Sequence, residues 1–194
     1  MIPELVQTAL IETGLAGAIG TGIVFVEAGV AKLRHRDVLP GVVANYRLLP
    51  EALVAPVSAL LPAVELGLGF GLIASSVSGG SPLHWLALPA AALFLVFAAA
   101  MAINIRRGRS QIDCGCGRSQ LRQTLGWGLV VRNVLLAVLV ALHGVAAPAA
   151  FVAGNVALAL AAGLCLYVFF LLFNALTALA ASPLAGNAPS RGRR

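Results

Sequence analysis

Five long apolar runs constrain this chain more than any other feature. They cover approximately residues 11–33, 52–76, 83–105, 125–143 and 155–181. Each is about 20 residues long, which is the length of an α-helix that crosses a hydrocarbon core of about 30 Å. The runs lack the alternation of apolar and polar residues that barrel strands show. The sequence therefore predicts an all-α, polytopic membrane bundle of about five transmembrane helices, a four-helix core plus one.

The composition supports a membrane protein and argues against a soluble one. The chain is 60% hydrophobic and only 10% charged, whereas soluble domains carry about 25% charged residues. There is too little polar surface to cover a water-soluble globule. We predict one transmembrane helical domain over residues 1–182 and a disordered basic C-terminal tail at 183–194. The bilayer is the expected environment.

The net charge of +6 comes from basic residues that fall in alternate connections between the runs. The first connection contains Lys32, Arg34, Arg36 and Arg47, the third contains Arg106, Arg107, Arg109, Arg118 and Arg122, and the tail ends in Arg191, Arg193 and Arg194. The other two connections are uncharged. Such residues determine topology, so no nucleic-acid partner is expected. The positive-inside rule predicts a cytoplasmic C-terminus and an N-terminus on the outer side.

Three charged residues stand out because they lie well inside the apolar runs, where each costs about 2.5–3.5 kcal/mol on insertion. Glu27 and Arg132 lie at matching depths, about 10 Å inward from the cytoplasmic end at 1.5 Å per residue. They could form a structural ion pair, or shape a polar pocket under the two cysteines for a proton or a redox cofactor. Asn104 and Asn133 would add polar groups to the same cytoplasmic half. Glu65 lies deeper, with no basic residue of another run near its depth. Its sequence position predicts a proton-handling role.

The segment RGRSQIDCGCGRSQLRQ, at 107–123, contains two of the three cysteines. Gly115 between Cys114 and Cys116 allows the bent backbone that a disulfide needs, and such a small ring is strained and easily reduced. The flanking arginines raise the thiolate fraction, while Asp113 opposes their charge or accepts a proton. Cys165 is expected to be a buried, inert residue in the last run. Two thiols without suitably spaced histidines predict no metal site.

Small residues four apart predict close helix packing on two of the runs. Gly14, Ala18 and Gly22 form such a ridge on the first run, and Gly67 and Gly71 form one on the second. Ridges of this kind let helix backbones approach closely. We expect them to serve packing within the bundle.

The sequence also resembles the methylamine-utilisation MauE family, which is similar to DoxX-like redox-associated membrane proteins. The resemblance lies in FVEAGVAKLRH (25–35), VVANYRLLP (42–50), LPAVELGLG (61–69), AINIRRGRSQIDCGCG (102–117) and VVRNVLLA (130–137). It implies a multi-pass protein of the bacterial inner membrane that assists maturation of a periplasmic client, the small subunit of methylamine dehydrogenase. The implied companion is a thioredoxin-like protein of the MauD type.

By that resemblance Cys114 and Cys116 form the redox pair, and Asp113, Arg132 and Asn133 are neighbouring motif positions. The family block usually continues with Phe-Gly, whereas here Gly117 and Arg118 follow the second cysteine, so access to the pair differs. A cytoplasmic pair and a periplasmic client would need a conduit for electrons, and a membrane quinone is left open as a cofactor. The alternatives are a non-catalytic scaffold or export factor and a small-molecule transporter.

Overall fold

The computed structural model describes residues 4–78, 82–112, 124–145 and 153–180. These residues form six α-helices and one short 3-10 helix. The helices are α1 (Glu4–Arg34), α2 (Leu39–Asn45), α3 (Glu51–Val77), α4 (Ala87–Arg106), α5 (Trp127–Val145) and α6 (Ala153–Ala180), and the 3-10 helix (Pro82–Leu86) leads into α4.

The prediction of five transmembrane helices is confirmed. Five helices of the described chain are long and apolar enough to cross a membrane, and they coincide with the five apolar runs. The sequence did not predict α2, which lies in the connection between the first two of them. The extent of the single domain stays a prediction, and the tail at 183–194 lies outside the described residues.

Helix α1 lies at the centre of the bundle. It packs against α3, α5 and α6, while α4 packs mainly against α5. The rings of Phe25 and Phe94 stack across the middle, with their centroids 4.3 Å apart. The order around the bundle is therefore α3, α1, α5 and α4, with α6 outside against α1. Helices α3 and α4 make little contact, so the ring is open between them.

Glycines allow α1 to approach its neighbours closely, as the small-residue ridge predicts. A Cβ atom added at Gly14 would lie 3.1 Å from the His143 backbone nitrogen of α5. One added at Gly22 would lie 3.0 Å from the Gly69 carbonyl oxygen of α3. These distances are shorter than ordinary van der Waals contacts, so a side chain at either position would push two helices apart.

The ridge predicted on the second run is wrong in detail. A Cβ atom added at Gly67 would meet nothing within 4 Å, and one at Gly71 would meet only the Leu86 side chain. The glycine that contacts α1 is Gly69, whose added Cβ would lie 2.8 Å from the Gly22 carbonyl oxygen. Spacing along one helix predicts a row of small residues but does not predict which side of the helix meets a neighbour.

The first and third connections lie at the same end of the bundle, as the span count predicts. Arg109 Nη2 donates a hydrogen bond to the Asn45 carbonyl oxygen at 2.7 Å, which joins the residues after α4 to the end of α2. The Leu125 backbone N–H donates to the Ser110 carbonyl oxygen at 3.0 Å. The residues that flank 113–123 are therefore held together. We call this the basic end, and its placement in the cytoplasm stays a prediction.

Candidate functional site

The predicted redox residues Asp113, Cys114 and Cys116 lie outside the described residues, so their roles stay predictions. Cys165 is described, and it differs from expectation because its side chain is exposed on α6. In a bundle within a bilayer this surface faces lipid. The expectation that Cys165 is buried is therefore wrong, while its apolar character suits a lipid-facing position.

Glu65 forms an ion pair, which corrects the expectation that no cation lies near its depth. The Lys32 ammonium nitrogen lies 2.7 Å from Glu65 Oε1, and the Glu65 side chain is fully buried. Lys32 is itself 10% exposed. A fully buried carboxylate is stable as an anion only when a cation or several donors compensate its lost hydration. The ammonium of Lys32 supplies that compensation.

The sequence-based depth was wrong because α1 and α3 are offset along their axes. A Cβ atom added at Gly29 of α1 would lie 3.0 Å from the Pro62 carbonyl oxygen of α3. Residues 29–32 therefore lie alongside the middle of α3 rather than beyond its end. Lys32 was assigned to the first connection, whereas α1 continues to Arg34.

Glu27 and Arg132 border one cavity, as their matching depths predict, and each has a partner on α6. The Tyr167 hydroxyl donates to Glu27 Oε2 at 2.9 Å. Arg132 Nη1 donates to Asn174 Oδ1, and its guanidinium carbon lies 4.9 Å from the centroid of the Phe170 ring. A direct ion pair between Glu27 and Arg132 stays a prediction.

The cavity between these residues has a volume of about 30 Å³. Glu27, Lys32, Glu65, Arg132 and Asn133 are the polar residues of its wall. This volume can hold one or two water molecules. Arg132 is 8% exposed, and its Nε has no hydrogen-bond partner among the described residues. Two carboxylates and two cations therefore surround a buried space large enough for water inside the apolar bundle. The proton-handling role expected of Glu65 stays a prediction.

Asn104 and Asn133, both expected in the cytoplasmic half of the bundle, make different contacts there. Asn133 borders the cavity and donates to the Leu129 carbonyl oxygen at 2.8 Å. Asn104 is fully buried but lies nearer the basic end, where its Oδ1 accepts a hydrogen bond from Arg109 Nη1 at 3.1 Å. Asn104 therefore anchors the residues that lead into residues 113–123, which we call the cysteine segment, and any part it takes in the chemistry stays a prediction.

Sequence reasoning missed the contribution of α6. Tyr167, Phe170 and Asn174 follow one another at helical spacing of three and four residues, so they lie on one face of α6. The signal was available, because an amide in an otherwise apolar membrane helix is expensive unless it faces the bundle interior.

In the described chain, no three His, Cys, Asp or Glu side chains are placed to share a metal ion.

Comparison with known proteins identifies the group to which these features belong. A family profile described as "Methylamine utilisation protein MauE" matches residues 10–147, which is most of the chain. The chain belongs to the MauE family. The matched residues include most of α1, all of α3, α4 and α5, the polar residues of the cavity wall, and Cys114 and Cys116. No solved structure matches this member of the family.

Curated MauE proteins show the same relationship. The methylamine utilization protein MauE of Paracoccus denitrificans is 40% identical over 173 residues, covering 88% of this chain and 90% of the relative. The MauE protein of Methylorubrum extorquens is 41% identical over 115 residues, with 59% of each chain covered. That of Methylophilus methylotrophus is 44% identical over 116 residues, covering 59% of this chain and 58% of the relative.

Proposed function

We propose that this MauE-family protein is a thiol–disulfide redox component of the bacterial inner membrane. It would support disulfide formation in a periplasmic client, such as the small subunit of methylamine dehydrogenase, together with a thioredoxin-like partner of the MauD type. The observation that carries the proposal is the Cys114-Gly115-Cys116 sequence within the region that matches the family. A membrane protein with only three cysteines has two of them one residue apart.

The chemistry is thiol–disulfide exchange. A thiolate of the reduced partner attacks one sulfur of the oxidised Cys114–Cys116 pair, and the other sulfur leaves as a thiolate. The second partner thiolate then attacks the mixed disulfide. The partner gains a disulfide and loses two electrons, and the pair becomes a dithiol that takes up two protons. Either cysteine can be the one attacked first.

The described residues around the segment support this function in two ways. Arg109 is held by Asn45 and Asn104, so a guanidinium is kept near the start of the segment, where positive charge favours thiolate formation. The hydrogen bond between Ser110 and Leu125 holds its two flanks together. Holding the two flanks together lowers the entropic cost of bringing the thiols between them to a partner.

Changing both cysteines tests the proposal. We expect the Cys114→Ser/Cys116→Ser double variant to lose at least tenfold in the amount of correctly disulfide-bonded client, measured by thiol alkylation and gel shift. Each single variant is expected to trap a mixed disulfide with the partner. The matched control is Cys165→Ser, which removes a lipid-facing thiol and is expected to behave as wild type. Normal client maturation in the double variant would instead support a non-catalytic scaffold.

Labelling the pair tests the orientation. In a Cys165→Ser background, a membrane-impermeant maleimide is expected to label Cys114 and Cys116 in inverted vesicles and not in intact cells. The physical reason is the clustering of arginines at the basic end, which favours the cytoplasmic side. Labelling in intact cells would place the pair on the periplasmic side and reverse the predicted topology.

A further inference from the structure

A second, larger cavity lies where the bundle is open. It has a volume of about 320 Å³ and lies between α3 and α4, with α2 closing its basic end. Helices α3 and α4 make little contact beside it. Val96, on its α4 wall, is 60% exposed, so the cavity opens sideways towards lipid. We call it the lateral cleft. Its volume lies within the range of small-molecule sites in proteins.

The wall of the lateral cleft is apolar except at its inner end. Lys32 and Tyr46 are the only residues of the wall whose side chains contain nitrogen or oxygen. The aromatic ring of Phe97 lies beside Lys32, with the ammonium nitrogen 5.7 Å from the ring centroid. A ligand here would meet apolar side chains along most of its length and a hydrogen-bond donor at one end.

The charge of the cleft favours a neutral ligand. The ammonium of Lys32 is already compensated by Glu65 at 2.7 Å, so an anionic headgroup would approach a buried carboxylate as well as the cation. An ammonium has three N–H donors, and its contact with Glu65 Oε1 uses one of them. A carbonyl oxygen is the acceptor that can use another without adding charge. A planar ring is the group that packs best against Phe97.

The cleft also touches the polar cavity. Lys32 and Phe97 belong to the walls of both, and the polar cavity brings Glu27, Glu65 and Arg132 to the other side of this boundary. A ligand carbonyl at Lys32 would therefore lie close to the two carboxylates of the polar cavity. Reduction of a quinone to a quinol needs two protons as well as two electrons, so this neighbourhood suits a carbonyl that is reduced.

The start of the cysteine segment lies next to the same cleft. Ile112, the residue before Asp113, packs against a small cluster formed by Met101, Leu125 and Leu129, and Tyr46 packs against that cluster too. Met101 and Tyr46 are also part of the wall of the cleft. Ile112, the last described residue before the cysteine segment, therefore lies next to the cleft.

We propose that the lateral cleft binds the head of an isoprenoid quinone, with its ring against Phe97, one ring carbonyl accepting a hydrogen bond from Lys32 Nζ, and its tail in the bilayer. The proposal deepens the proposed function and rests on it for the redox step. In that step the dithiol of Cys114 and Cys116 loses two electrons and two protons and becomes a disulfide, and the quinone gains both and becomes a quinol.

Binding can be measured with decylubiquinone added to the full-length protein in phosphatidylcholine nanodiscs, with empty nanodiscs as the baseline for partition. We expect saturable binding to wild type. Leu61→Trp and Val57→Trp, which fill the cleft from α3, are expected to raise the Kd at least tenfold. The matched control is Leu60→Trp, because Leu60 is 63% exposed and lies outside the cleft wall. Its Kd is expected to stay within twofold of wild type.

Three binding results would overturn the site. The first is the absence of saturable binding to wild type, and the second is an equal effect of all three tryptophans. The third is displacement of the quinone by excess phosphatidylglycerol, which would identify the cleft as a lipid site. Helix content and gel filtration of each variant check that it is folded, and two cleft variants are used so that one misfolded protein does not decide the outcome.

A second measurement separates this inference from the proposed function. Reduced wild type is expected to form one quinol per disulfide, followed by the change in quinone absorbance. Cys114→Ser/Cys116→Ser should bind quinone normally and form no quinol, and Leu61→Trp should exchange disulfides with the partner and form no quinol. Thiol exchange without quinone binding would overturn the inference alone. If the protein bound quinone but Cys114 and Cys116 never formed a disulfide, the proposed function and the electron transfer would both be overturned. The quinone-binding site itself would be supported.

Discussion

Replacing Glu65 by leucine is expected to lower the free energy of unfolding by about 3–5 kcal/mol. Glu65 is fully buried, and the Lys32 ammonium lies 2.7 Å from its Oε1. The variant leaves a cation in the bundle interior without its counter-charge, which costs more than the ion pair itself contributes. The measurement is reversible unfolding of the detergent-solubilised protein by dodecyl sulfate, followed by circular dichroism.

The double variant Lys32→Leu/Glu65→Leu separates the loss of a pair from the creation of an unpaired charge. Because it removes both charges, we expect it to recover most of the stability that Glu65→Leu loses. Glu51→Leu is the matched control, since Glu51 is exposed at the start of α3, and it should change stability little. If Glu65→Leu and the double variant lost the same free energy of unfolding, the unpaired charge of Lys32 would not be the cause of the loss.

Replacing Gly69 by alanine is the second change for which a large effect is expected. The added Cβ atom would lie 2.8 Å from the Gly22 carbonyl oxygen and 2.9 Å from the Val26 backbone nitrogen. Both are backbone atoms of α1 and cannot rotate away, so α1 and α3 must separate. Overpacking of this kind costs about 1–3 kcal/mol. The same unfolding experiment measures it.

Gly67→Ala provides a control two residues away on the same helix. Its added Cβ atom would meet nothing within 4 Å, and alanine favours the helical conformation over glycine by about 0.5–1 kcal/mol. Its stability is therefore expected to equal or exceed that of wild type. If the two variants were destabilised alike, the close approach of α1 and α3 at Gly22 would not be the cause.

The sequence predicted the transmembrane helices well because length and apolarity alone determine whether a segment can cross a bilayer. It also predicted that the first and third connections share one end of the bundle. It did not predict α2. The sequence of this helix, LPGVVAN, contains proline and glycine and is only seven residues long, so its helical form depends on packing against α3 rather than on intrinsic propensity.

The polar partners were harder to predict for a related reason. Glu27 and Arg132 were placed at the correct depth, but Tyr167 and Asn174 became visible as their partners only once the rotation of α6 was known. Lys32 was missed because depth was counted from the helix ends, whereas α1 and α3 are offset. The axial offset and the rotation of a helix depend on how its side chains pack against other helices. They therefore depend on residues of several helices at once and cannot be predicted from one apolar run.

The central position of α1 has a consequence for synthesis. Helix α1 leaves the ribosome before α3, α5 and α6, the neighbours against which it packs, and α5 begins about 90 residues after α1 ends. At 5–20 residues per second, that delay is on the order of 5–20 s. During this interval Lys32 first lacks Glu65, and Glu27 lacks Tyr167 until the final helix is made. The nascent protein must therefore carry a helix with charged side chains whose partners have not yet been synthesised.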